Sequence, residues 1–522
     1  MTVIGAGVGG LAAAVDLANR GASVTVLERG PRVGGKMREI QVGGLAVDSG
    51  PTVMTMKHVF EELFAETGAD LADYVRLSPM RVLARHAWLD GTRFDLYADP
   101  AQTEAELRDV FGAKSADGYR RFHAYARAIH DEVEAPFMRS ERPSLFAMMR
   151  IIGSRGLGAV RRIDFRRTMW RAIGEFFDDP RLRQLFARYA TYYGSSPFYA
   201  PATLNLIAYV EARGVWSVDG GMYRMAEALA RRATELGVQI HTNVEVAKID
   251  VQGGRACGVI TSAGERLDAD AVVLNGDPSA LTSGRLGTAV SGSVPPRGRV
   301  APKKRSLSAI TWSMAARSSG FELDHHNVFF SDDYETEFRQ LIDERRLPSQ
   351  PTVYVCAQHR AGGARPEGHE GLLALVNAPA RGDDPRGPQA PGPFDEAELE
   401  RCEHSTFELM TRCGLQLDVR ESRRTTPIEF ERMFPATGGA LYGPATHGSM
   451  APFSRPSTRS RVRRLYLVGG GAHPGAGIPM VTLGGRIAAK AVSEDLASMR
   501  PSAVMAISGG TSTSSATTDA TP

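Results

Sequence analysis

The chain has 522 residues, and its 62 basic and 59 acidic side chains leave a net charge of only +3. This small charge gives no reason to expect a nucleic-acid partner. The four cysteines are widely spaced, which excludes a compact C-x-x-C metal motif and favours a reducing compartment. Because no apolar run reaches the roughly 18 residues needed to cross a bilayer, we expect a cytoplasmic protein, soluble or peripherally attached to a membrane.

A glycine motif follows a very short apolar strand at the start of the chain. Gly5, Gly7 and Gly10 have the G-x-G-x-x-G spacing. In this pattern the first glycine permits a tight turn, the second leaves room for a pyrophosphate, and the third lets a helix pack against the sheet. The apolar sequence 11–18 predicts that helix, whose free N–H groups would face the diphosphate.

The next strand, predicted over 23–27, ends at Glu28, 18 residues after Gly10. This spacing is close to the ~20 residues expected for a carboxylate that binds ribose. Together with the glycine motif it predicts an adenine-dinucleotide site rather than a simple glycine turn. The pair Gly34 and Gly35, followed by Lys36, resembles flavoproteins of the amine oxidase and glutathione reductase type. That resemblance favours FAD over NAD, although an ordinary loop is the alternative interpretation.

Further elements follow from hydrophobic periodicity and turn residues. The predicted helices cover 60–77, 101–129, a broken pair within 186–212, 223–236 and 395–413. The predicted strands include a hairpin at Asp90-Gly91, 238–241, 243–249, a hairpin at Gly253-Gly254, 271–275, 307–315, 328–330, 352–355 and 372–376.

The segment 144–174 mixes apolar residues with seven arginines and a single acidic residue, Asp164. This composition is typical of a helical surface that lies in an anionic membrane interface. A pair of amphipathic helices with solvated arginines is the alternative.

A second glycine cluster closes the chain. A buried strand is predicted over 465–468, and a glycine-rich turn over 469–477 leads to Ile478, Pro479 and Met480 and then a helix over 481–496. Glycines at a helix N-terminus predict a second anionic site. We expect it to meet the first site. The tail from 498 is rich in Ser, Thr and Gly and is predicted to be disordered.

Four segments together resemble the carotenoid desaturases of the bacterial phytoene desaturase family: Gly5–Lys36, Asp48–Thr52, Gly214–Met222 and Leu465–Arg486. The most specific of their motifs is Gly475–Pro479. Val53–Met56, Arg85–Trp88 and Met480–Leu483 are more similar to the branch that acts on 1-hydroxycarotenoids than to phytoene desaturase itself.

This resemblance implies an α/β fold with a Rossmann-type FAD-binding domain of the amine oxidase/glutathione reductase type, a mixed-sheet substrate domain and a helical membrane-facing segment. We expect the FAD-binding domain to comprise 1–75, 214–285 and 437–497. We expect 76–213 to form part of the substrate domain with the membrane-docking segment, and 286–436 to form its sheet. The expected cofactor-binding residues are Gly5, Gly7, Gly10, Glu28, Gly35, Lys36, Val246 through its backbone, Gly471, Gly477, Ile478, Pro479 and Met480.

The implied activity is FAD-dependent desaturation of an acyclic carotenoid at C3–C4, with hydride transfer to the flavin and loss of a proton to a base or water. Asp219, Glu245 and His473 are polar residues near the motifs, but no base can be assigned among them. His325 and His326 lack an apparent third ligand, so no metal is expected. A quinone or oxygen is the expected electron acceptor, because no second dinucleotide motif is present.

Other activities fit the same motifs. Phytoene desaturation and polyene isomerisation use the same scaffold, a flavin amine oxidase shares the fold, and a lipid escort could retain the fold without catalysis. The paired glycines near Glu28 and the closing glycine cluster favour true flavin binding over the escort.

Overall fold

The computed structural model describes residues 1–141, 162–295, 299–387 and 390–498. Its strands are β1 (Thr2–Ile4), β2 (Thr25–Leu27), β3 (Glu39–Val42), β4 (Leu45–Asp48), β5 (Leu77–Pro79), β6 (Val82–Ala87), β7 (Arg93–Tyr97), β8 (Trp216–Val218), β9 (Gln239–His241), β10 (Val246–Gln252), β11 (Arg255–Thr261), β12 (Arg266–Asp268), β13 (Val272–Asn275), β14 (Ser308–Gly320), β15 (His326–Phe329), β16 (Val353–Ala357), β17 (Glu370–Ala378), β18 (Arg386–Gly387), β19 (Ala390–Pro391), β20 (Leu415–Thr425) and β21 (Leu465–Val468).

The helices connect these strands and cover their faces. They are α1 (Val8–Asn19), α2 (His58–Glu66), α3 (Pro100–Phe111), α4 (Ala113–Val133), α5 (Met169–Ile173), α6 (Pro180–Ala187), α7 (Leu206–Ala212), α8 (Tyr223–Glu235), α9 (Ser279–Thr282), α10 (Tyr334–Phe338), α11 (Glu396–Arg412), α12 (Pro427–Met433) and α13 (Ile478–Ser498). A 3-10 helix, Arg188–Tyr193, follows α6 directly.

A five-stranded parallel sheet joins the two ends of the chain in the order β21-β13-β1-β2-β9. The first strand lies at its centre and pairs with β13 and β2. The last strand pairs with β13 in the same direction. Val3, Val26 and Val273 are fully buried, as expected for parallel strands covered on both faces. The prediction that the two chain ends fold together is confirmed.

Helices α1 and α13 pack against each other through small residues. A Cβ atom at Gly485 would lie 2.4 Å from the carbonyl oxygen of Gly9 and 3.0 Å from Cβ of Ala12. Such a contact would force the backbones apart, so this close approach requires glycine. The packing holds the two predicted glycine turns at the same edge of the sheet.

The second large sheet is mixed and has the strand order β20-β14-β17-β16-β15-β6-β7. All neighbours are antiparallel except β15 and β6. One face packs on α11 through Trp312, Leu409 and Met410, and the other carries Val328 and Tyr354 towards the helical layer. The α/β class with a mixed second sheet is therefore as predicted.

Several predicted elements differ from the observed ones. The helix predicted over 101–129 is two helices, because Gly112 adopts a φ of +86° between α3 and α4. The helix predicted to reach 77 ends at Glu66, and α13 begins three residues earlier than predicted. Strand β20 was missed because its apolar alternation covers only Leu415, Leu417 and Val419, and the remaining 420–425 are charged or polar. It lies at an edge of its sheet, where charged residues are favourable.

Within 1–141, 162–295, 299–387 and 390–498, no helix is both long and apolar enough to cross a membrane. Most of the predicted arginine-rich docking segment lies outside these described residues. In the part that is described, Arg162 bonds to Glu132 and Arg167 bonds to Asp164 and Glu175. These two arginines are therefore already engaged in ion pairs within the protein.

Candidate functional site

Both glycine clusters line one cavity of about 440 Å³. It lies at the carboxyl ends of the parallel strands, where ligands bind in open α/β sheets. Nine of the twelve predicted cofactor residues line it: Gly5, Gly7, Glu28, Gly35, Lys36, Val246, Gly471, Gly477 and Ile478. A single ligand can therefore contact segments from both ends of the chain.

The remaining three predicted residues, Gly10, Pro479 and Met480, are not among the described residues that line the cavity. A Cβ atom at Gly10 would lie 2.2 Å from the carbonyl oxygen of Gly5, so this glycine allows α1 to pack on the turn. Pro479 and Met480 lie in the first turn of α13. These three residues therefore support the elements around the cavity and do not line it.

The N-terminal turn is held close to the loop of paired glycines. Gly34 N–H donates to the carbonyl oxygen of Ala6 at 2.8 Å, and Gly5 and Gly34 have φ values of +95° and +106°. Asn275, at the end of β13, donates from Nδ2 to the Gly5 carbonyl oxygen at 3.1 Å. A Cβ atom at Gly7 would lie 2.9 Å from the same Nδ2. Asn275 is a functional candidate that the motif alone did not reveal.

Glu28 marks one end of the cavity. Its carboxylate accepts from Ala6 N–H at 2.8 Å and from Gly30 N–H at 2.7 Å. The Glu28 carbonyl oxygen accepts from Val244 N–H at 2.9 Å, which brings the start of β10 and Val246 to the same end. A carboxylate held beside the glycine turn is in the position expected for contact with a ribose hydroxyl.

Asp48 connects two of the motifs that carried the family resemblance. Its carboxylate accepts from the backbone N–H groups of Met222 at 2.6 Å and Tyr223 at 3.1 Å, at the start of α8. A Cβ atom at Gly221 would lie 2.6 Å from Asp48 Oδ2, so glycine is needed there. Burial raises the pKa of Asp48 to about 6, despite these two hydrogen bonds.

Two cations, the partly buried Lys36 and the buried Arg455, hold the loop that follows α12. Lys36 Nζ donates to the carbonyl oxygen of Leu441 at 2.6 Å, and burial lowers the pKa of Lys36 to about 8. Arg455 donates to the carbonyl oxygens of Tyr442 at 3.0 Å, Pro444 at 3.1 Å and Gly470. Burial also lowers the pKa of Arg455. No motif predicted Arg455, whose hydrogen bonds within the described residues go to backbone carbonyl oxygens 11 to 15 residues away.

Apolar side chains cover the cavity from the second sheet and this loop. Glu431 shapes the loop by accepting from the N–H groups of Ala436 at 2.8 Å, Thr437 at 2.9 Å and Gly438 at 2.8 Å. The apolar lining residues on this side include Leu375, Phe430, Met433, Phe434, Pro435 and Leu441. The cavity therefore combines a polar glycine edge with an apolar cover.

The three polar residues weighed as proton acceptors are structural or exposed. Asp219 is exposed, and Glu245 is an exposed residue on the cavity rim, 3.6 Å from Arg29. His473 Nε2 lies 3.0 Å from the Phe137 carbonyl oxygen and 2.9 Å from that of Ser140, so it carries the hydrogen. Burial lowers the pKa of His473 to about 4, and the ring is neutral near pH 7.

His325 and His326 have a third neighbour that the sequence did not reveal. Cys356 faces His326 across β15 and β16, and one ligand atom from each of the three residues lies within 4.8 Å of the others. Cys356 Sγ is 3.7 Å from His325 Nε2, and His326 Nδ1 is 2.7 Å from the hydroxyl of Tyr354. These contacts satisfy one polar atom of each residue without an ion.

The donor set fits an anionic dinucleotide. Helix α1 begins with Gly7 as its N-cap and lacks a side-chain cap, and Gly477, with a φ of +110°, precedes α13. The N-terminal backbone N–H groups of two helices, together with a desolvated lysine, favour a diphosphate. A Cβ atom at Gly35 would come within 3.1 Å of Gly7 Cα, so glycine keeps this edge open. The fold and the cavity define an FAD-dependent oxidoreductase.

Comparison with known proteins agrees with this class. Residues 8–493 match the family of flavin-containing amine oxidoreductases. A "Hydroxyneurosporene desaturase" of Rubrivivax gelatinosus is 47% identical over 99% of this chain and 98% of its own length. One of Cereibacter sphaeroides is 44% identical over 95% and 98%. The chain belongs to the bacterial carotenoid desaturases within the flavin-containing amine oxidoreductase family, and the predictions of that family and of FAD are confirmed.

Solved structures support the fold. Wild-type putrescine oxidase bound to putrescine aligns with a TM-score of 0.58 and 16% identity, covering 95% of this chain and 98% of that one. An oxidoreductase from Methanosarcina mazei aligns with a TM-score of 0.57 and 18% identity, covering 94% and 99%. At these identities the likeness concerns the fold alone.

Proposed function

We propose that this flavoenzyme desaturates an acyclic 1-hydroxycarotenoid at C3–C4 in carotenoid biosynthesis. The observation that carries the proposal is the cavity lined by both glycine clusters, in a chain that is similar over nearly its whole length to proteins named hydroxyneurosporene desaturase. One C–H bond breaks at C3 and one at C4 as the double bond forms, so that one hydrogen leaves as a hydride and the other as a proton to a base or water. When bound, FAD accepts two electrons and one hydrogen, and a quinone or oxygen then takes up the electrons.

The chain's own residues would hold the cofactor and exclude water. We infer that the nine lining residues from Gly5 to Ile478 bind FAD, with Glu28 on the ribose and Lys36 near the diphosphate. Glu431 and Arg455 would keep the apolar cover closed over the cavity by holding the backbone of 436–444. A dry, rigid site aligns the reacting bond and prevents side reactions.

The proposed FAD-binding domain comprises 1–75, 214–285 and 437–497, and the proposed substrate domain comprises the regions between them. The strand order supports this division, because β1, β2, β9, β13 and β21 all belong to the first set of ranges. Strands β6, β14, β15, β16, β17 and β20 belong to the second.

Product analysis tests the reaction directly. Purified protein loaded with FAD is incubated with 1-hydroxyneurosporene, and the product is separated and its absorption spectrum recorded. An added double bond lengthens the conjugated system and shifts absorption to the red. Phytoene and a primary amine are the comparison substrates. Turnover of phytoene alone or of the amine alone would contradict the proposal.

We also propose peripheral attachment to an anionic membrane surface, because a carotenoid partitions into the bilayer. Of the arginine-rich segment, Arg166 and Arg171 are exposed, and they are better targets than the ion-paired Arg162 and Arg167. Replacing both exposed arginines with Glu should reduce co-sedimentation with anionic liposomes and leave flavin content unchanged. The matched control replaces two other exposed arginines, Arg401 and Arg412 on α11, with Glu. Equal sedimentation of both variants would overturn the proposal.

A further inference from the structure

One cluster of buried polar side chains surrounds Arg188, in the 3-10 helix that follows α6. Arg188 Nη1 donates to the hydroxyl of Tyr192 at 3.0 Å, and the guanidinium lies over the rings of Tyr189 and Tyr192, 4.9 and 5.7 Å from their centres. Glu211 accepts from the hydroxyls of both tyrosines. The charge of this cluster is balanced within the protein and its guanidinium is covered by aromatic rings, so it does not point to a ligand.

A second cluster of buried side chains consists of His325, His326 and Cys356, which are 7%, 3% and 2% exposed. His326 lies, like His86, within electrostatic range of Arg188, but no hydrogen bond joins either histidine to it in the described part of the chain. Cys356 lies opposite His326 in the register of β15 and β16. Strand pairing therefore holds an imidazole and a thiol side by side in the interior of the second sheet.

Each histidine of this second cluster has one ring nitrogen without a partner. Neither His325 Nδ1 nor His326 Nε2 has a hydrogen-bond partner among the residues that the structure describes. His326 Nδ1 lies 2.7 Å from the hydroxyl of Tyr354, which in turn lies 2.7 Å from Thr52 Oγ1. Tyr354 can donate to Thr52 and accept from His326 Nδ1, which leaves an unshared lone pair on Nε2. A metal-binding histidine is oriented in this way, since its second nitrogen donates to a neighbouring oxygen.

The spacing of the three residues is that of ligands around one metal ion. One ring nitrogen of each histidine and Sγ of Cys356 all lie within 4.8 Å of one another. Cys356 Sγ is 3.7 Å from His325 Nε2. Zinc bonds of ~2.3 Å to sulfur and ~2.0 Å to nitrogen at a tetrahedral angle place two such ligand atoms about 3.6 Å apart. His325 and Cys356 already have this spacing, and His326 completes the set with a side-chain shift on the order of 1 Å.

The ligand types restrict the choice of ion. Thiolate and imidazole ligands favour Zn²⁺ or Cu⁺, whereas Mg²⁺ and Ca²⁺ require oxygen ligands. The thiol of Cys356 releases its proton to solvent as the metal–sulfur bond forms, and the resulting thiolate offsets one positive charge of the ion. Without an ion, two ring nitrogens stay unpaired in the interior, which is costly.

We propose that His325, His326 and Cys356 bind one thiophilic metal ion, Zn²⁺ or Cu⁺. The expectation of no metal depended on the lack of a third ligand, and β16 supplies that ligand. None of the three residues lines the glycine-lined cavity, so the ion would have a structural role, joining β16 to the segment that precedes β15. This inference does not depend on the proposed substrate.

Metal analysis of the FAD-loaded protein, purified without a histidine tag, tests the site. The protein is stripped with a chelator, incubated with Zn²⁺, with Cu⁺ under anaerobic reducing conditions, or with Mg²⁺, and freed of unbound ions before elemental analysis. We expect about one equivalent of Zn²⁺ or Cu⁺ and almost no Mg²⁺. The two thiophilic arms show which ion binds. X-ray absorption at the metal edge of the zinc-loaded protein should show one sulfur at ~2.3 Å and two nitrogens at ~2.0 Å.

Variants assign the ion to these residues. Cys356→Ser and His326→Gln each remove one ligand and should lower metal affinity at least about 100-fold, measured by competition with a chelating dye. Tyr354→Phe removes the oxygen that orients His326 and should lower it about 10- to 100-fold. The matched control is Cys402→Ser, at another buried cysteine in α11, which should bind metal like the wild type. Flavin content and circular dichroism report whether each variant is folded.

The outcomes separate a built site from adventitious metal. A wild type that takes up neither Zn²⁺ nor Cu⁺ overturns the proposal. Equal metal affinity in Cys356→Ser and the wild type, or an absorption spectrum without a sulfur ligand, shows binding elsewhere and overturns it as well. If the ligand variants do not fold, the sulfur and nitrogen ligands counted in the wild type decide the question alone.

Discussion

The glycine-lined cavity and the cluster around Arg188 handle buried polar groups in opposite ways. In the cavity, side chains bind backbone: Lys36 and Arg455 donate to carbonyl oxygens and Glu431 accepts from N–H groups. Around Arg188, side chains bind one another, and several of their polar atoms have no partner among the described residues. The first arrangement fixes the shape of the backbone around the cavity, and the second leaves buried donors and acceptors without a hydrogen-bond partner in the described part of the chain. The difference can be tested by mutation.

The largest effect is expected from Gly7→Val, because the cavity depends on backbone shape. The added side chain would begin 2.9 Å from Asn275 Nδ2 and would occupy space proposed for the diphosphate. We expect FAD retention to fall at least about 100-fold, equivalent to ~2.8 kcal/mol or more of binding free energy. The flavin-to-protein absorbance ratio measures it. In the described structure a Cβ atom at Gly292 meets nothing within 4 Å, so Gly292→Val is the control. A yellow Gly7→Val protein would contradict the proposed position of the diphosphate.

A smaller loss is expected from Arg455→Met, which removes a side chain that binds three carbonyl oxygens but is not itself in contact with the cavity. Losing these charged hydrogen bonds should loosen the glycine cluster and weaken FAD binding by about 10- to 100-fold. Reconstitution of the apoprotein with FAD gives the Kd. The exposed Arg401→Met on α11 should bind FAD like the wild type. If Arg455→Met did so too, backbone support by this arginine would not matter for the cavity.

The same contrast explains what the sequence could predict. The glycine-lined cavity depends on glycines and one carboxylate at regular spacings, because a tight turn and the close approach of a ligand to the backbone need particular residues. Those positions were therefore recognisable. Arg455 and Asn275 were missed because their partners are backbone atoms of remote segments, which leave no local pattern. The cluster around Arg188 draws on His86, Glu211 and His326, which lie far apart in the sequence. Only the folded chain brings these residues into one part of the molecule.

Strand β20 shows where the prediction of secondary structure from sequence periodicity fails. Its pairing with β14 comes from backbone hydrogen bonds, while its apolar alternation ends at Val419 and 420–425 are charged or polar. Gly112 shows the reverse case, since helical periodicity continued across a residue whose positive φ interrupts the helix. Periodicity reports buried faces, so it fails where an element is exposed or where a break keeps the same face buried.

The smallest predicted effect concerns Glu337, a buried carboxylate in α10. It is 1% exposed and accepts from Thr352 N–H at 3.1 Å and from the hydroxyls of Thr352 at 2.7 Å and Ser331 at 3.1 Å. Burial raises its pKa from 4.5 to about 7. Because the folded state holds the proton more tightly, this group's contribution to stability is full below pH 4.5 and is lost as pH rises through 7.

The measurement compares the wild type with Glu337→Gln, whose side chain stays neutral. The wild-type free energy of unfolding minus that of the variant should fall by up to about 3 kcal/mol between pH 5 and 8. Urea unfolding at each pH gives both values, and other titrating groups cancel in the difference. A flat difference would mean that Glu337 is already ionised at pH 5, and that its site tolerates a buried charge.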